Sequence, residues 1–312
     1  MYLVTGGAGF IGSHVVDRLL ARGDKVLCLD NLNDYYPAEV KLNNIQHQMN
    51  HPDFEFLRGD IRDAKLMKEL HKYPIENIIH LAAMAGVRNS IAHPKLYEKV
   101  NVGGTMNMLN LAKDLSVKNF VFASSSSVYG NNKKVPFSES DNVDNPISPY
   151  AATKKAGELM AYTYHHLYHL PVSCLRFFTV YGPRGRPDMA PLKFTRLIDS
   201  GKPIEVYGDG TSQRDYTYID DIVSGIIAAS DIPHPYEIFN LGNNKPVRLD
   251  YFISLIERNL GKKAQIMHKP KQEGDVDITY ADISKAESLL GYKPKVSIEE
   301  GIERLVRWHK GQ

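Results

Sequence analysis

Short apolar runs alternate with helix-period stretches along the first half of the chain. MYLVTG, KVLCLD, FEFLRGD, NIIHLAA and NFVFASS are rich in Val, Ile, Leu or Phe and have the length of strands. Between them SHVVDRLLARG, Asp63–Tyr73 and Pro94–Leu115 carry apolar residues at helical spacing. Continuous apolar strands alternating with helices predict a parallel sheet covered on both faces. A further helical stretch, Pro149–Tyr168, leads into a sixth strand, PVSCLRF. Beyond it Gly and Pro become dense (YGPRGRPDMAP, SGKP, YGDGTSQRD), so a second lobe is expected there. YEIFNLG reads as another strand of the main sheet, and the tail from Leu249 as helices with a short strand. The fold class expected is α/β, a doubly wound parallel sheet with a smaller mixed C-terminal lobe.

Composition narrows the function classes. Hydrophobic residues are 43% and charged residues 24% of the 312, ordinary for a globular protein. A net charge of +2 with no basic block gives no support to nucleic-acid or membrane-surface binding. The strand-like MYLVTGG at the start reads as leaving no room for a signal peptide, and no apolar run has membrane-spanning length. Cys28 and Cys174 lie inside apolar strands, so buried thiols and a reducing, cytoplasmic setting are expected. His165 and His169 stand four apart in HHLYH; with no third ligand nearby they read as helix surface, and no metal is expected.

Three segments carry chemistry. TGGAGFIG places Gly6, Gly9 and Gly12, with Phe10 and Ile11, between strand one and a helix. Such a turn lets a pyrophosphate approach the helix N-terminus, where free amides and the dipole favour anions. Asp30 closes strand two, 18 residues past Gly12, where its carboxylate can hold the ribose hydroxyls of NAD and repel the phosphate of NADP. SPYAATKKAGE puts Tyr150 and Lys154 four apart, on one helix face. A free tyrosine has a pKa near ~10 and is a poor base; a cationic Lys154 favours its phenolate. FASSSSVYG ends a strand in four serines, where open parallel sheets bind ligands.

The glycine spacing, with YxxxK after a serine-rich strand end, resembles the extended short-chain dehydrogenase/reductases. Essentially the whole chain resembles their NAD-dependent nucleotide-sugar epimerases, and AGVRNS and RFFTVYGPRGRPDMA resemble those acting at C4 of UDP-glucuronate. The resemblance implies a Rossmann-type NAD-binding domain over residues 1–176, with 217–243 returning to it. It implies a UDP-sugar lobe over 177–216 and 244–312. Cofactor contacts are implied for Gly6, Gly9, Phe10, Ile11, Gly12, Asp30, Asn31, Asp60, Ile61, Leu81, Ala82, Ala83, Asn101, Tyr150, Lys154 and Phe177. The family's catalytic Ser or Thr lies four residues before the tyrosine of VYG; that tyrosine is Tyr129 here, so the match is Ser125. Tyr150, Lys154 and Ser125 are thus the implied catalytic set.

For the substrate, the resemblance implies contacts from Arg88, Ser125, Ser126, Ser127, Tyr150, Thr179, Arg186, Arg214, Gln272 and Asp275. Arg214 matches the diphosphate-binding arginine. Gln272 stands where a second arginine is usual, with Arg186 as the compensating cation, and Thr179 stands for a usual asparagine. Dehydratases and decarboxylases of the same superfamily carry acidic residues at the positions of Ser126 and Ser127. Elimination needs an acid and a base that a hydroxyl does not readily supply. The expectation is therefore reversible oxidation at C4 of a UDP-hexose, most simply UDP-glucuronate to UDP-galacturonate, in a homodimer built on the two long helices. The alternatives are UDP-glucose or UDP-N-acetylglucosamine as substrate, the latter because Thr279 leaves room at C2. A non-catalytic NAD-sensing regulator is the alternative from a different class.

Overall fold

The computed structural model describes residues 1–270 and 278–311. In chain order its first half runs β1 (Tyr2–Thr5), α1 (Phe10–Ala21), β2 (Val26–Asp30), α2 (Ala38–Ile45), β3 (Phe54–Arg58), α3 (Ala64–Leu70) and β4 (Asn77–His80). It continues with α4 (Val87–Ala92), α5 (Pro94–Tyr97), α6 (Thr105–Asp114), β5 (Asn119–Ser125), α7 (Pro149–Tyr168) and β6 (Val172–Phe177). The second half runs β7 (Thr179–Tyr181), α8 (Ala190–Asp199), β8 (Ile204–Tyr207), β9 (Gln213–Tyr218), α9 (Ile219–Asp231), β10 (Tyr236–Leu241) and β11 (Pro246–Arg248). It ends with α10 (Leu249–Leu260), β12 (Ile266–Lys269), β13 (Ile278–Thr279), α11 (Ser284–Leu290) and α12 (Ile298–Lys310). Two compact units result. The first holds Met1–Gly130, Asp141–Phe177 and Val223–Phe239; the second holds Asn131–Ser140, Phe178–Ile222 and Asn240–Gln312.

In the first unit seven strands lie in the order β10-β6-β5-β4-β1-β2-β3, and the pairs from β3 through β6 are parallel. This is the Rossmann order, which reverses direction between β1 and β4; ligands bind past the carboxyl ends at that switch. Burial on both faces explains the continuous apolar strands: every residue of β2, β5 and β6 is buried. YEIFNLG does join this sheet, as β10. The long helix expected over Pro94–Leu115 is interrupted: α5 and α6 are joined by a π-helical segment, Glu98–Gly104. Its wider turn offsets the drift of about 40° that four residues make on an α-helix. Tyr97, Asn101 and Thr105 can then all turn inward, and all three are buried.

In the second unit β9 is the centre. β7 and β13 pair with it in parallel and β11 antiparallel, while β8 and β12 form a separate parallel pair. The buried Asp215 of β9 ties the unit together: its carboxylate accepts the backbone N–H of Asn243 (2.7 Å), Asn244 (3.0 Å) and Ala281 (3.1 Å). Among the described residues no helix is long and apolar enough to cross a membrane.

Candidate active site

The turn after β1 closes on itself. Gly9 N–H donates to Gly6 O (3.1 Å), and Gly9 caps α1 in extended backbone. Gly6 has φ +68, and a Cβ on it would lie 2.8 Å from the backbone N of Ala82; a Cβ on Gly12 would lie 2.1 Å from Gly6 O. Glycine is therefore required at both for steric reasons, and the first-turn amides of α1 at Phe10, Ile11 and Gly12 are left open. Asp30 ends β2 almost fully buried, its two oxygens accepting N–H from Ala8 (3.2 Å) and Leu32 (2.9 Å). Burial pushes its carboxyl pKa up, against those donors and the nearby Lys41 ammonium. Lys41, which the sequence reading missed, is itself buried and donates to Asn33 O (2.8 Å) and Oδ1 (2.9 Å). Asn31 donates to Asp60 Oδ2 (2.9 Å), and Arg62 grips the same carboxylate with two nitrogens, holding it well below the usual range. Ile61 beside it is buried and fills the space over Gly104. A glycine turn with open amides and a buried acid at the next strand's end fit a dinucleotide: amides for the pyrophosphate, spare carboxylate lone pairs for a ribose diol.

Leu81, Ala82 and Ala83 follow β4, half-buried, across the switch point. A buried chain holds this turn in place: Ala82 N–H donates to Thr5 Oγ1 (3.2 Å), His80 Nδ1 lies 2.7 Å from that oxygen, and His80 Nε2 lies 3.0 Å from Thr105 Oγ1. Burial pushes His80 down to about 3, so the ring stays neutral and serves as a hydrogen-bonding strut. Asn101 accepts Met84 N–H (2.8 Å) and donates to Met84 O and Thr153 Oγ1 (both 3.0 Å). Asn101, expected as a cofactor contact, uses both amide hydrogens to brace the β4 turn against α7.

The expected catalytic residues lie at the end of β5 and in the first turns of α7. Ser148 caps the helix by accepting Ala151 N–H (3.1 Å), and Pro149 occupies its first position. Tyr150 thus sits in the first turn, where the helix dipole favours negative charge. Its ring packs edge-on with that of Tyr97, centroids 6.2 Å apart. Lys154, one turn on, is buried; its Nζ donates to Ala123 O (2.7 Å) and lies 6.0 Å from the Tyr150 ring centroid. Burial pushes Lys154 down to about 7. The cation assumed from sequence therefore depends on what else fills the site, since an anion or a hydroxyl acceptor restores the charge. Ser125 ends β5 beside Phe177, its register partner on β6, and caps a 3₁₀ turn over Ser126–Tyr129. Its hydroxyl donates to Ser127 Oγ (3.1 Å). Arg88 is exposed in the first turn of α4.

In the second unit Thr179 opens β7, half-buried, in register with Tyr216. Arg214 on β9 is half-buried, its Nη1 donating to Gln213 O (2.9 Å), and Thr279 of β13 lies in register beside it. Arg186 is gripped by Asp188 through two contacts (3.0 and 2.6 Å), so any anion shares it with that carboxylate. Gln272 and Asp275 lie outside the described residues. Among those described, no group of three or more His, Cys, Asp or Glu can hold a metal.

The Rossmann sheet, glycine turn and Ser–Tyr–Lys set define an extended short-chain dehydrogenase/reductase. The family model described as GDP-mannose 4,6 dehydratase matches residues 3–305, and the chain belongs to that family. It is 49% identical over 311 residues to a UDP-glucuronate 4-epimerase of Thermodesulfobacterium geofontis, spanning 99% of this chain and 96% of that protein. Among solved structures it is similar to UDP-glucuronic acid 4-epimerase from Bacillus cereus in complex with UDP-glucuronic acid and NAD: TM-score 0.93, 38% identity, 99% of each chain. It is also similar to UDP-N-acetylglucosamine 4-epimerase from Methanobrevibacter ruminantium, with TM-score 0.91 and 32% identity over 100% of this chain and 98% of that one.

Proposed function

We propose that this protein is an NAD-dependent 4-epimerase of UDP-hexoses, interconverting UDP-glucuronate and UDP-galacturonate. The observation that carries the reading is a complete Ser125–Tyr150–Lys154 set in a chain 49% identical to a UDP-glucuronate 4-epimerase. Although the family model is described as a dehydratase, hydroxyls at Ser126 and Ser127 replace the acids that elimination requires. The first unit holds NAD through Gly6, Gly9, Gly12 and Asp30; the second binds the UDP-sugar, with Arg214 on the diphosphate and Thr179 toward C6.

Bound NAD supplies a hydride acceptor and donor at C4. The chain's own residues manage the proton and the geometry. Ser125 hydrogen-bonds the reacting oxygen and orients it. Tyr150 removes the 4-hydroxyl proton and later returns one, so the sugar carries the same atoms before and after. Lys154 and the α7 dipole stabilise the phenolate between those transfers. Turnover of the 4-keto sugar between the two half-reactions exposes its opposite face. The test is incubation with UDP-glucuronate, UDP-glucose and UDP-N-acetylglucosamine separately, with products read by proton NMR. Conversion of UDP-glucuronate alone supports the reading. Preference for UDP-N-acetylglucosamine would favour the alternative that Thr279 suggests, and inertness toward all three would favour a regulator.

A 4-keto uronate is a β-keto acid and loses carbon dioxide when its C5–C6 bond aligns with the carbonyl π system. Thr179 and Ser127 are proposed to hold the carboxylate out of that alignment. Thr179→Ala and Ser127→Ala are each expected to raise the UDP-pentose by-product several-fold; unchanged product purity in both rejects the idea.

A cytoplasmic homodimer completes the proposal. Cys28 and Cys174 are buried free thiols, and α6 and α7 expose Met106, Leu159 and Tyr162 at 44, 56 and 52%. Tyr162→Glu is expected to give monomers in sedimentation equilibrium; a parental protein already monomeric would overturn the dimer. Fractionation that finds the native protein outside the cytoplasm would overturn the location.

A further inference from the structure

The four serines divide their labour, and one of them points away from the site. Ser124 is buried and donates to Glu158 Oε1 (2.6 Å) on α7. Glu158 is fully buried and also accepts two hydrogen bonds from Arg176, Nε to Oε1 and Nη2 to Oε2, both 2.8 Å. Arg176 lies on β6 in register with Ser124 and stacks over Tyr129, 4.9 Å from the ring centroid. None of these groups is needed for the proton or hydride chemistry above.

We propose that Ser124, Glu158 and Arg176 form a positioning clamp that fixes the sliding register of α7 on β5 and so sets where Tyr150 and Lys154 meet Ser125. Tyr150, Lys154 and Glu158 recur every four residues, so they share one helix face. The first two reach the site and the third anchors the helix. Apolar packing already presses α7 down: a Cβ on Gly157 would lie 2.3 Å from the Phe122 ring. Dispersion contacts resist separation but hold a helix only loosely against sliding along its axis. Three directional bonds to one carboxylate, two in a fixed guanidinium fork, supply that constraint. Buried ion pairs are often neutral or unfavourable for stability compared with apolar residues of like size, so this one is explained better by geometry.

The inference rests on the proposed epimerase reading, and the experiment separates the two. Glu158→Met/Arg176→Met replaces the whole buried pair with apolar volume; the Lys155 ammonium, 3.7 Å from Glu158 Oε2, keeps a partly exposed side chain that water can solvate. It is expected to keep or raise the melting temperature, hold KM within about threefold, and lower kcat on the order of 10²-fold, the cost of misplacing reacting groups by about 1 Å. Ser124→Ala removes one bond and no charge; it is expected to lower kcat several-fold at unchanged KM and melting temperature, with Ser124→Thr restoring it. A crystal structure of the double variant reads the clamp without any turnover: the Lys154 Nζ–Ala123 O contact should exceed 3.5 Å, against 2.7 Å in the parent. Parental kcat in Ser124→Ala and the double variant, or that contact unchanged in the crystal, overturns the clamp. A parent inert toward every UDP-sugar overturns the epimerase reading instead, and the crystal structure still decides the clamp.

Discussion

Tyr150→Phe is expected to lower kcat for C4 epimerisation by about 10²–10⁴-fold while the protein stays folded and keeps its affinity for nucleotide. The substitution removes one oxygen. The ring contact with Tyr97 survives, and the start of α7 is fixed by the Ser148 cap and by Pro149 in its first position. What is lost is the group that takes the 4-hydroxyl proton, and Ser125 is too weak a base to replace it. Thermal melts should match the parent within about 2 °C, since no buried apolar surface changes. NMR time courses that match the parent's would remove Tyr150 from the mechanism.

Lys154→Met is expected to move stability and activity in opposite directions. Burial holds Lys154 near 7 in the folded chain, whereas the unfolded chain keeps it near ~10.4. Between those values the unfolded state binds more protons, so stability rises with pH, by up to about 1.4 kcal/mol per pH unit from this group. Below about 7 both states are protonated, and the folded protein carries the full cost of a buried ammonium. Met removes that cost, offset in part by the lost hydrogen bond to Ala123 O. Denaturant melts of nucleotide-free protein at pH 7, 8 and 9 should show the variant more stable than the parent at pH 7, with a flatter pH dependence. Its kcat should fall by at least about 10²-fold, because the phenolate of Tyr150 loses the lysine cation expected to stabilise it. A variant less stable at pH 7, or one that keeps turning over, contradicts this account.

The readings that local spacing could carry are those most plainly legible in the chain. Gly6 and Gly12 are glycine because their Cβ atoms would strike backbone, and the strand–turn–helix context shows in the letters around them. Asp30 announces itself by closing an apolar strand, and Tyr150 and Lys154 by their spacing of four. Arg186 is a different case. Its ion pair with Asp188, two residues on, was open to inspection in GRPDMA, but the sequence reading weighed only the diphosphate.

Other features were closed to it for a physical reason. Nothing in NVGGT reveals that the amide of Asn101, read there as a cofactor contact, also meets Met84 and Thr153. His80 becomes a neutral strut only once folding buries it between Thr5 and Thr105, and Lys154 loses proton affinity only through the same burial. Ser124 was one of four identical letters until Glu158 and Arg176 were brought to it from other elements. The sequence by itself determined the alternating strands and helices, the nucleotide turn and the tyrosine–lysine pair, since each depends on neighbours within a turn or a strand. Only the tertiary structure decided which polar side chains chemistry leaves available and which the scaffold uses up. Desolvation and hydrogen-bond partnership are properties of residues far apart along the chain, and they exist only after the chain has folded.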